Sequence, residues 1–218
     1  MVYPITKRVI PFLIKPWLGK CTGIENIPKE KGAILAANHS SYLDHLIIGS
    51  YIVSRLNKVA YFLAKKEHFD TFFQRQWHRY LKAIPIDREA GGRDALAKAI
   101  EHLNKGDLIM IYPEGTRTLT GELSRAKTGV ARLALAGHVP VIPIGITNAF
   151  KILPKGKKIP KLGLKADLNI GKPLYFDKYY DLEDDKHTLR KITTLIMNEI
   201  AKLSNTKYGF DDEYLKEK

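Results

Sequence analysis

The sequence of 218 residues contains a single cysteine, so no disulfide can form within the chain. A helix needs about 20 apolar residues to span a bilayer, and no apolar run in the sequence approaches that length. The longest one near the start, VIPFLI at residues 9–14, is flanked by Lys7, Arg8 and Lys15. Because no small-residue cleavage site follows this run, a secretory signal is disfavoured as well.

Acidic residues are fewer than basic ones, 23 against 36, so the formal net charge is +13. Such a balance favours phosphate-bearing polymers, anionic membrane surfaces or small anionic substrates as partners. Residues 1–20 hold four basic residues and no acidic one, together with many apolar side chains. This composition predicts a segment in a membrane interface, or alternatively one docked on the protein's own core. Pro4, Pro11 and Pro16 are expected to break a continuous helix there.

Short apolar runs alternate with helical patterns along the chain. Strands are predicted at residues 32–38, 59–64, 83–86, 107–112, 141–147 and 166–171, and helices at 43–56, 93–103, 129–137 and 186–203. The alternation predicts an α/β fold with a mostly parallel central sheet flanked by helices, preceded by the basic amphipathic N-terminal segment. We assign residues 1–20 to that segment, 21–205 to one folded domain and 206–218 to a charged tail.

The stretch NHSSYLD, residues 38–44, follows a predicted strand. Ser41 and Asp44 have the spacing of a capping box, so Asp44 is interpreted as a helix cap. It can also accept a hydrogen bond from one ring nitrogen of His39, which leaves the other nitrogen to act as a base. The two interpretations are compatible.

A nucleophile within the chain is hard to find. No G-x-S-x-G turn occurs, and Ser40 directly follows His39, where neighbouring side chains diverge. We therefore expect the substrate to supply the hydroxyl group. His39, Asp44, His45 and His68 are the metal-ligand alternative, but they lack the tight pairings of metal motifs, so no metal is predicted.

Basic side chains follow several other predicted strands. In YPEGTRT, residues 112–118, Arg117 offers a planar fork suited to a phosphate. The alternative is an exposed turn in which Glu114 and Arg117 pair with each other. Lys66 and Arg88 follow two further strands in the same manner. In parallel sheets ligands bind beyond the carboxyl ends of the strands, where these groups are expected to lie.

Four blocks occur in a fixed order over roughly residues 36–147: NHSSYLD, AKKEHF…IDR, YPEGTRT and VPVIPIGI. Together they resemble the glycerolipid acyltransferases, specifically the 1-acyl-glycerol-3-phosphate (lysophosphatidic acid) acyltransferases. The sequence differs from the family pattern at Tyr112, where Phe is commoner, at His68, where Leu is commoner, and at Ala126, where an aromatic residue is frequent. None of these differences removes a reactive group.

The resemblance implies an O-acyltransferase in which His39, oriented by Asp44, is the general base. The acyl chain would pass from acyl-CoA or acyl-carrier protein to the free hydroxyl of 1-acyl-glycerol-3-phosphate, giving phosphatidic acid. Substrate binding is assigned to Lys66, Arg88, Glu114, Gly115, Thr116 and Arg117. The resemblance implies no cofactor besides the acyl donor and no nucleic-acid partner. It places the protein at the cytoplasmic face of an anionic membrane, as a peripheral or monotopic protein.

Two kinds of alternative remain. The acceptor can be glycerol 3-phosphate or another lysolipid, because the motifs separate these poorly. An alternative of another class is a non-catalytic module that binds membranes or nucleic acid. It is supported by the net charge and by the six lysines of residues 151–165, but it leaves the four ordered blocks unexplained.

Overall fold

A seven-stranded sheet forms the centre of the protein, whose computed structural model describes residues 6–56, 58–87 and 92–210. The strands are β1 (Leu18–Thr22), β2 (Ala33–Ala37), β3 (Ala60–Lys65), β4 (Ala83–Ile86), β5 (Leu108–Ile111), β6 (Val141–Ile146) and β7 (Ala166–Ile170). Their order is β1-β7-β6-β2-β5-β3-β4, and only β6 and β7 pair antiparallel. The predicted α/β fold with a mostly parallel sheet is therefore confirmed.

Helices cover both faces of the sheet. They are α1 (Thr6–Leu13), α2 (Asp44–Leu56), α3 (Phe72–Tyr80), α4 (Arg93–Asn104), α5 (Gly129–Gly137), α6 (Ala149–Ile152) and α7 (Lys186–Ser204). Alternate side chains of a strand point to opposite faces. Accordingly, Ile34 and Ala36 of β2 pack with α4, α5 and α7. Leu35 and Ala37 pack on the other face with α1, α2 and α6.

The sequence pattern does not predict β1, which begins within the segment assigned to residues 1–20. Its stretch LGKCT has little apolar character, so the strand depends on its parallel pairing with β7, where Leu18 lies opposite Ala166. Gly19 permits this close approach, because a Cβ atom there would lie 2.8 Å from the Ala166 carbonyl oxygen. The sheet therefore reaches back into the predicted N-terminal segment.

Helix α1 passes through Pro11, so the expected break at that proline is wrong. One missing N–H donor is tolerated in a helix whose adjoining residue, Ile14, is buried in the core. Phe12 and Leu13 face solvent, with 76% and 61% of their surface exposed. The segment thus docks on the core with one side and keeps apolar side chains outside. Residues 1–5 of the segment lie outside the described residues.

The folded part extends further than the predicted boundary at residue 205. Tyr208 is buried, and its hydroxyl accepts a hydrogen bond from the Ala126 N–H at 3.2 Å. The remainder of the predicted tail, residues 211–218, lies outside the described residues. Helix α3 is not predicted from the sequence either, because its stretch FFQRQWHRY carries few apolar side chains at core positions.

Candidate active site

Two of the polar blocks meet at the carboxyl edge of the sheet. Strands β2 and β5 are parallel neighbours, with Ala36 opposite Ile111. Just beyond these strands come His39 and Tyr112. The adjacency of the two strands therefore brings NHSSYLD against YPEGTRT, as expected for a parallel sheet.

His39 and Asp44 form a hydrogen-bonded pair, with 2.8 Å between Nδ1 and Oδ2. The same carboxylate oxygen accepts the backbone N–H groups of Ser40 at 2.7 Å and Ser41 at 2.8 Å. Asp44 is the first residue of α2, so it holds the turn before the helix and the imidazole together. Both interpretations of Asp44 thus describe real contacts.

A capping box has two reciprocal hydrogen bonds, and this turn as described has only the one from the Ser41 N–H to the Asp44 carboxylate. Ser41 Oγ accepts from the Leu43 N–H at 3.1 Å and donates to the Leu153 carbonyl at 2.8 Å, rather than bonding the Asp44 N–H. The Asp44 side chain is 0% exposed and that of His39 is 15% exposed. In the neutral imidazole whose Nδ1–H donates to a carboxylate, Nε2 carries no proton. The pair therefore presents a reachable basic nitrogen backed by a buried charge.

The backbone of His39 is fixed from the neighbouring loop. Its N–H donates to Glu114 Oε1 at 2.8 Å, and its carbonyl accepts from the Thr118 N–H at 2.9 Å. The other carboxylate oxygen of Glu114 accepts both the N–H and the hydroxyl of Ser124, each at 2.9 Å. Burial raises the pKa of Glu114, while the hydrogen bonds from His39 and Ser124 oppose that rise.

These contacts describe how Glu114 shapes the site. The side chain is 4% exposed and is directed into the protein, so it holds the loop that carries His39. The alternative in which Glu114 pairs with Arg117 is wrong, because both of its oxygens bond His39 and Ser124. Direct contact between Glu114 and a substrate stays a prediction.

An aromatic cluster encloses the imidazole. The rings of His39 and Tyr112 are stacked, with centroids 3.9 Å apart. The Tyr112 hydroxyl lies 3.3 Å from His45 Nδ1, and the His45 ring also contacts Phe62. Burial, reinforced by electrostatic repulsion from the imidazole of His39 when it is protonated and from the guanidinium of Arg117, lowers the pKa of His45 to about 3. His45 is therefore neutral near pH 7 and places no positive charge beside His39.

Of the remaining predicted substrate ligands, Arg117, Gly115 and Thr116 belong to the loop after β5 that contacts His39, whereas Lys66 and Arg88 follow other strands. The guanidinium of Arg117 lies over the ring of Tyr42, 3.6 Å from its centroid. Gly115 forms the turn with a φ of +72°, which a glycine adopts without strain, and Thr116 beside it is exposed. Lys66, two strands away from β2, donates to Asp87 at 2.7 Å. Arg88 lies outside the described residues.

Sequence reasoning missed three members of the site. The stack of Tyr112 on His39 and the hydrogen bond from the Thr118 N–H to the His39 carbonyl depend on how β2 and β5 are placed. Ser124 acts on the site through Glu114. The only available signal was the departure from Phe at Tyr112.

Within the described ranges, no three His, Cys, Asp or Glu side chains come together in a way that suits a metal ion. Nor is any helix there long and apolar enough to cross a membrane.

The fold and the site define an α/β protein with a histidine–carboxylate pair at the carboxyl edge of its sheet. The sequence profile of the Acyltransferase family matches residues 19–147. The chain belongs to the 1-acyl-sn-glycerol-3-phosphate acyltransferase family, and it is an O-acyltransferase. The alternative of a non-catalytic binding module therefore falls away.

Relatives of this family match most of the chain. It is 31% identical over 181 residues to the 1-acyl-sn-glycerol-3-phosphate acyltransferase of Bacillus subtilis, covering 83% of this chain and 85% of the relative. The yeast enzyme of the same name, from Saccharomyces cerevisiae, is 31% identical over 166 residues, covering 73% of this chain and 52% of the relative. The chain thus spans about half the length of the yeast relative.

A solved structure has the same fold. The crystal structure of the 1-acyl-sn-glycerophosphate (LPA) acyltransferase PlsC from Thermotoga maritima superposes with a TM-score of 0.68 at 27% sequence identity. The superposition covers 93% of this chain and 78% of the other.

Proposed function

We propose that this protein transfers an acyl chain from an acyl thioester to the free hydroxyl of 1-acyl-glycerol-3-phosphate, giving phosphatidic acid and a free thiol. The observation that carries the proposal is the His39–Asp44 pair, a buried carboxylate that orients an accessible imidazole. The names of the relatives support this acceptor, since each describes an acyltransferase acting on 1-acyl-glycerol-3-phosphate.

In the proposed reaction, Nε2 of His39 takes the proton of the substrate hydroxyl. At the same time the hydroxyl oxygen forms a bond to the carbonyl carbon of the thioester. The carbon–sulfur bond of the resulting tetrahedral intermediate then breaks. The departing sulfur receives the proton from the imidazolium, so the base is restored. Asp44 stabilises the transient positive charge through Nδ1–H. A positioned base of this kind contributes about 10²–10⁴-fold to the rate.

The acceptor's phosphate needs cationic partners near this centre. Arg117 offers a guanidinium held flat against Tyr42, and we assign it to the phosphate. Lys66 lies two strands away from β2 beside Asp87, so its contact with the acceptor stays a prediction. The net charge of +13 and the exposed apolar side chains of α1 support peripheral association with an anionic membrane surface, at its cytoplasmic face.

The test is a donor and acceptor panel with the purified full chain and its His39→Gln variant. The panel combines acyl-CoA and acyl-carrier protein with 1-acyl-glycerol-3-phosphate, glycerol 3-phosphate and a neutral monoacylglycerol. His39→Gln should lower the rate by about 10²–10⁴-fold for every accepted pair. Undiminished turnover in the variant would refute the role of His39.

The chain offers a matched control for this variant. His102 Nδ1 lies 3.2 Å from Asp107 Oδ2, with the same spacing of five residues in the sequence. This pair stands between the end of α4 and the start of β5, at the amino edge of the sheet. His102→Gln removes an equivalent histidine contact away from the site and should leave turnover unchanged.

A further inference from the structure

A cationic groove follows the outer side of β4, the edge strand of the sheet. Two depressions of about 370 and 420 Å³ share Pro85 and Lys98 in their linings, so they adjoin along the strand. We call them together the β4 groove. Helices α3 and α4 contribute its walls. Each volume falls within the range of small-molecule sites.

Cations outnumber carboxylates in the lining of the β4 groove. The cationic side chains are Lys66, Arg75, Arg79, Arg93 and Lys98, and the carboxylates are Asp87 and Asp94. Asp87 already accepts a hydrogen bond from Lys66. Across the described ranges, no carboxylate forms an ion pair with Arg75, Arg79 or Lys98. The groove therefore suits an anionic ligand rather than an acyl chain.

The two arginines of α3 are arranged for phosphate groups. Arg75 and Arg79 are four residues apart in the helix, which places them on the same face one turn from each other. Arg75 Nε donates to the Phe69 carbonyl at 3.2 Å, so the planar group is held while its terminal nitrogens stay available. Guanidinium groups bind phosphate oxygens through two parallel hydrogen bonds.

The distance from His39 excludes the acceptor's own phosphate. Strands β5 and β3 separate β2 from β4, which amounts to three strand spacings or about 14 Å. In 1-acyl-glycerol-3-phosphate, the phosphate is attached to the carbon next to the one that bears the reacting hydroxyl. A phosphate in the β4 groove must therefore belong to a longer substrate. In a coenzyme A thioester, an extended pantetheine arm separates the sulfur from the nucleotide phosphates.

We propose that the β4 groove binds the nucleotide phosphates of a coenzyme A thioester, with Arg75, Arg79 and Lys98 as their ligands. The assignment rests on the proposed function, because it specifies the donor of that reaction. Coenzyme A carries a diphosphate and a further phosphate close together, which matches three cations in one groove. A carrier protein offers a single phosphodiester instead.

The test compares two donors that carry the same acyl chain, acyl-CoA and an acyl-pantetheine that lacks the nucleotide. In the double variant Arg75→Gln/Arg79→Gln, KM for acyl-CoA should rise about tenfold or more, since hydrogen bonds to charged groups are lost. The kinetics with acyl-pantetheine should stay unchanged. The control Lys155→Gln/Lys157→Gln removes the same charge from exposed lysines outside the groove and should affect neither donor.

A binding measurement independent of turnover completes the test. Adenosine 3′,5′-bisphosphate should bind to the wild type and to the lysine control in a calorimetric titration, and binding should be lost in the arginine variant. Co-sedimentation with phosphatidylglycerol vesicles examines lipid head groups as the other source of phosphate. An arginine variant that releases the vesicles while its acyl-CoA kinetics are unaltered would overturn the assignment to the donor.

Two further outcomes also count against the groove assignment. Equal changes in KM for both donors would show that the arginines act on the fold or on general attraction of anions. A wild type that accepts only acyl-carrier protein would exclude coenzyme A as the ligand. Failure of the wild type with every thioester would instead refute the proposed function, and calorimetry with the bisphosphate would still report on the groove.

Discussion

The phenol ring of Tyr112 lies nearly parallel to the imidazole of His39, with 3.9 Å between the centroids and 17° between the planes. The stack limits rotation of the imidazole, and the bond from Nδ1 to Asp44 fixes which edge of the ring faces outward. Tyr112 thus acts on the proposed base through its position, from the loop that follows β5.

We expect Tyr112→Leu to lower kcat by about two- to tenfold, because a stacked aromatic pair contributes about 0.5–1.5 kcal/mol. The acceptor KM should change little, since Tyr112 is not assigned to substrate binding. Tyr112→Phe keeps the ring and should retain activity. Steady-state kinetics of the two variants provide the measurement. Equal losses in both would assign the effect to the Tyr112 hydroxyl and its contact with His45.

Asp44→Asn removes the charge that selects the tautomer of His39. The amide would still fill the space, but its NH₂ group can direct itself at Nδ1 and reverse the polarity of that hydrogen bond. We expect kcat to fall on the order of 10²-fold or more. Asp107→Asn makes the same change beside His102 and serves as the control. If the two variants lose activity equally, Asp44 has no special role in orienting the base.

The local part of the site could be predicted from the sequence, whereas its long-range part could not. His39 and Asp44 are five residues apart, and a turn between a buried strand and a helix is enough to join them. The bond from the His39 N–H to Glu114 spans 75 residues of sequence. It depends on β5 lying beside β2, and the apolar pattern of these strands gives no strand order.

Two elements show the same limit in the fold. Strand β2 consists of five buried residues, so its apolar run was sufficient evidence for a strand. Strand β1 has no buried residue in its span and is held by pairing with β7 far along the chain. The cation of Arg117 likewise lies over Tyr42, a contact that the turn sequence YPEGTRT alone does not predict.

Arg117→Ala should chiefly weaken binding of the phosphorylated acceptor. We expect its KM to rise about tenfold or more, as charge-assisted hydrogen bonds to phosphate are lost. Turnover of a neutral monoacylglycerol, where measurable, should be unaffected, because it has no phosphate to lose. The comparison of the two acceptors in one assay is the measurement. A similar rise for both would show that Arg117 supports the loop through Tyr42 instead of binding the phosphate.

The buried His45 should make the protein sensitive to acid. Its pKa is lowered from 6.5 to about 3 in the folded protein, chiefly by burial. Between these two values the unfolded chain binds a proton that the folded chain does not, so the free energy of unfolding decreases as the pH falls below about 6.5. The contribution approaches roughly 1 kcal/mol per pH unit within that window.

His45→Gln removes this titration while keeping polar atoms near the Tyr112 hydroxyl. Urea unfolding of the wild type and the variant at pH 7.5 and pH 5 measures the effect. On acidification the wild type should lose about 1–2 kcal/mol more than the variant, and the excess should be small above pH 6.5. All other titrating groups are shared by the two proteins and cancel in the comparison. Parallel losses would mean that His45 titrates alike in the folded and unfolded chains, and hence that the ring beside Tyr112 is open to water.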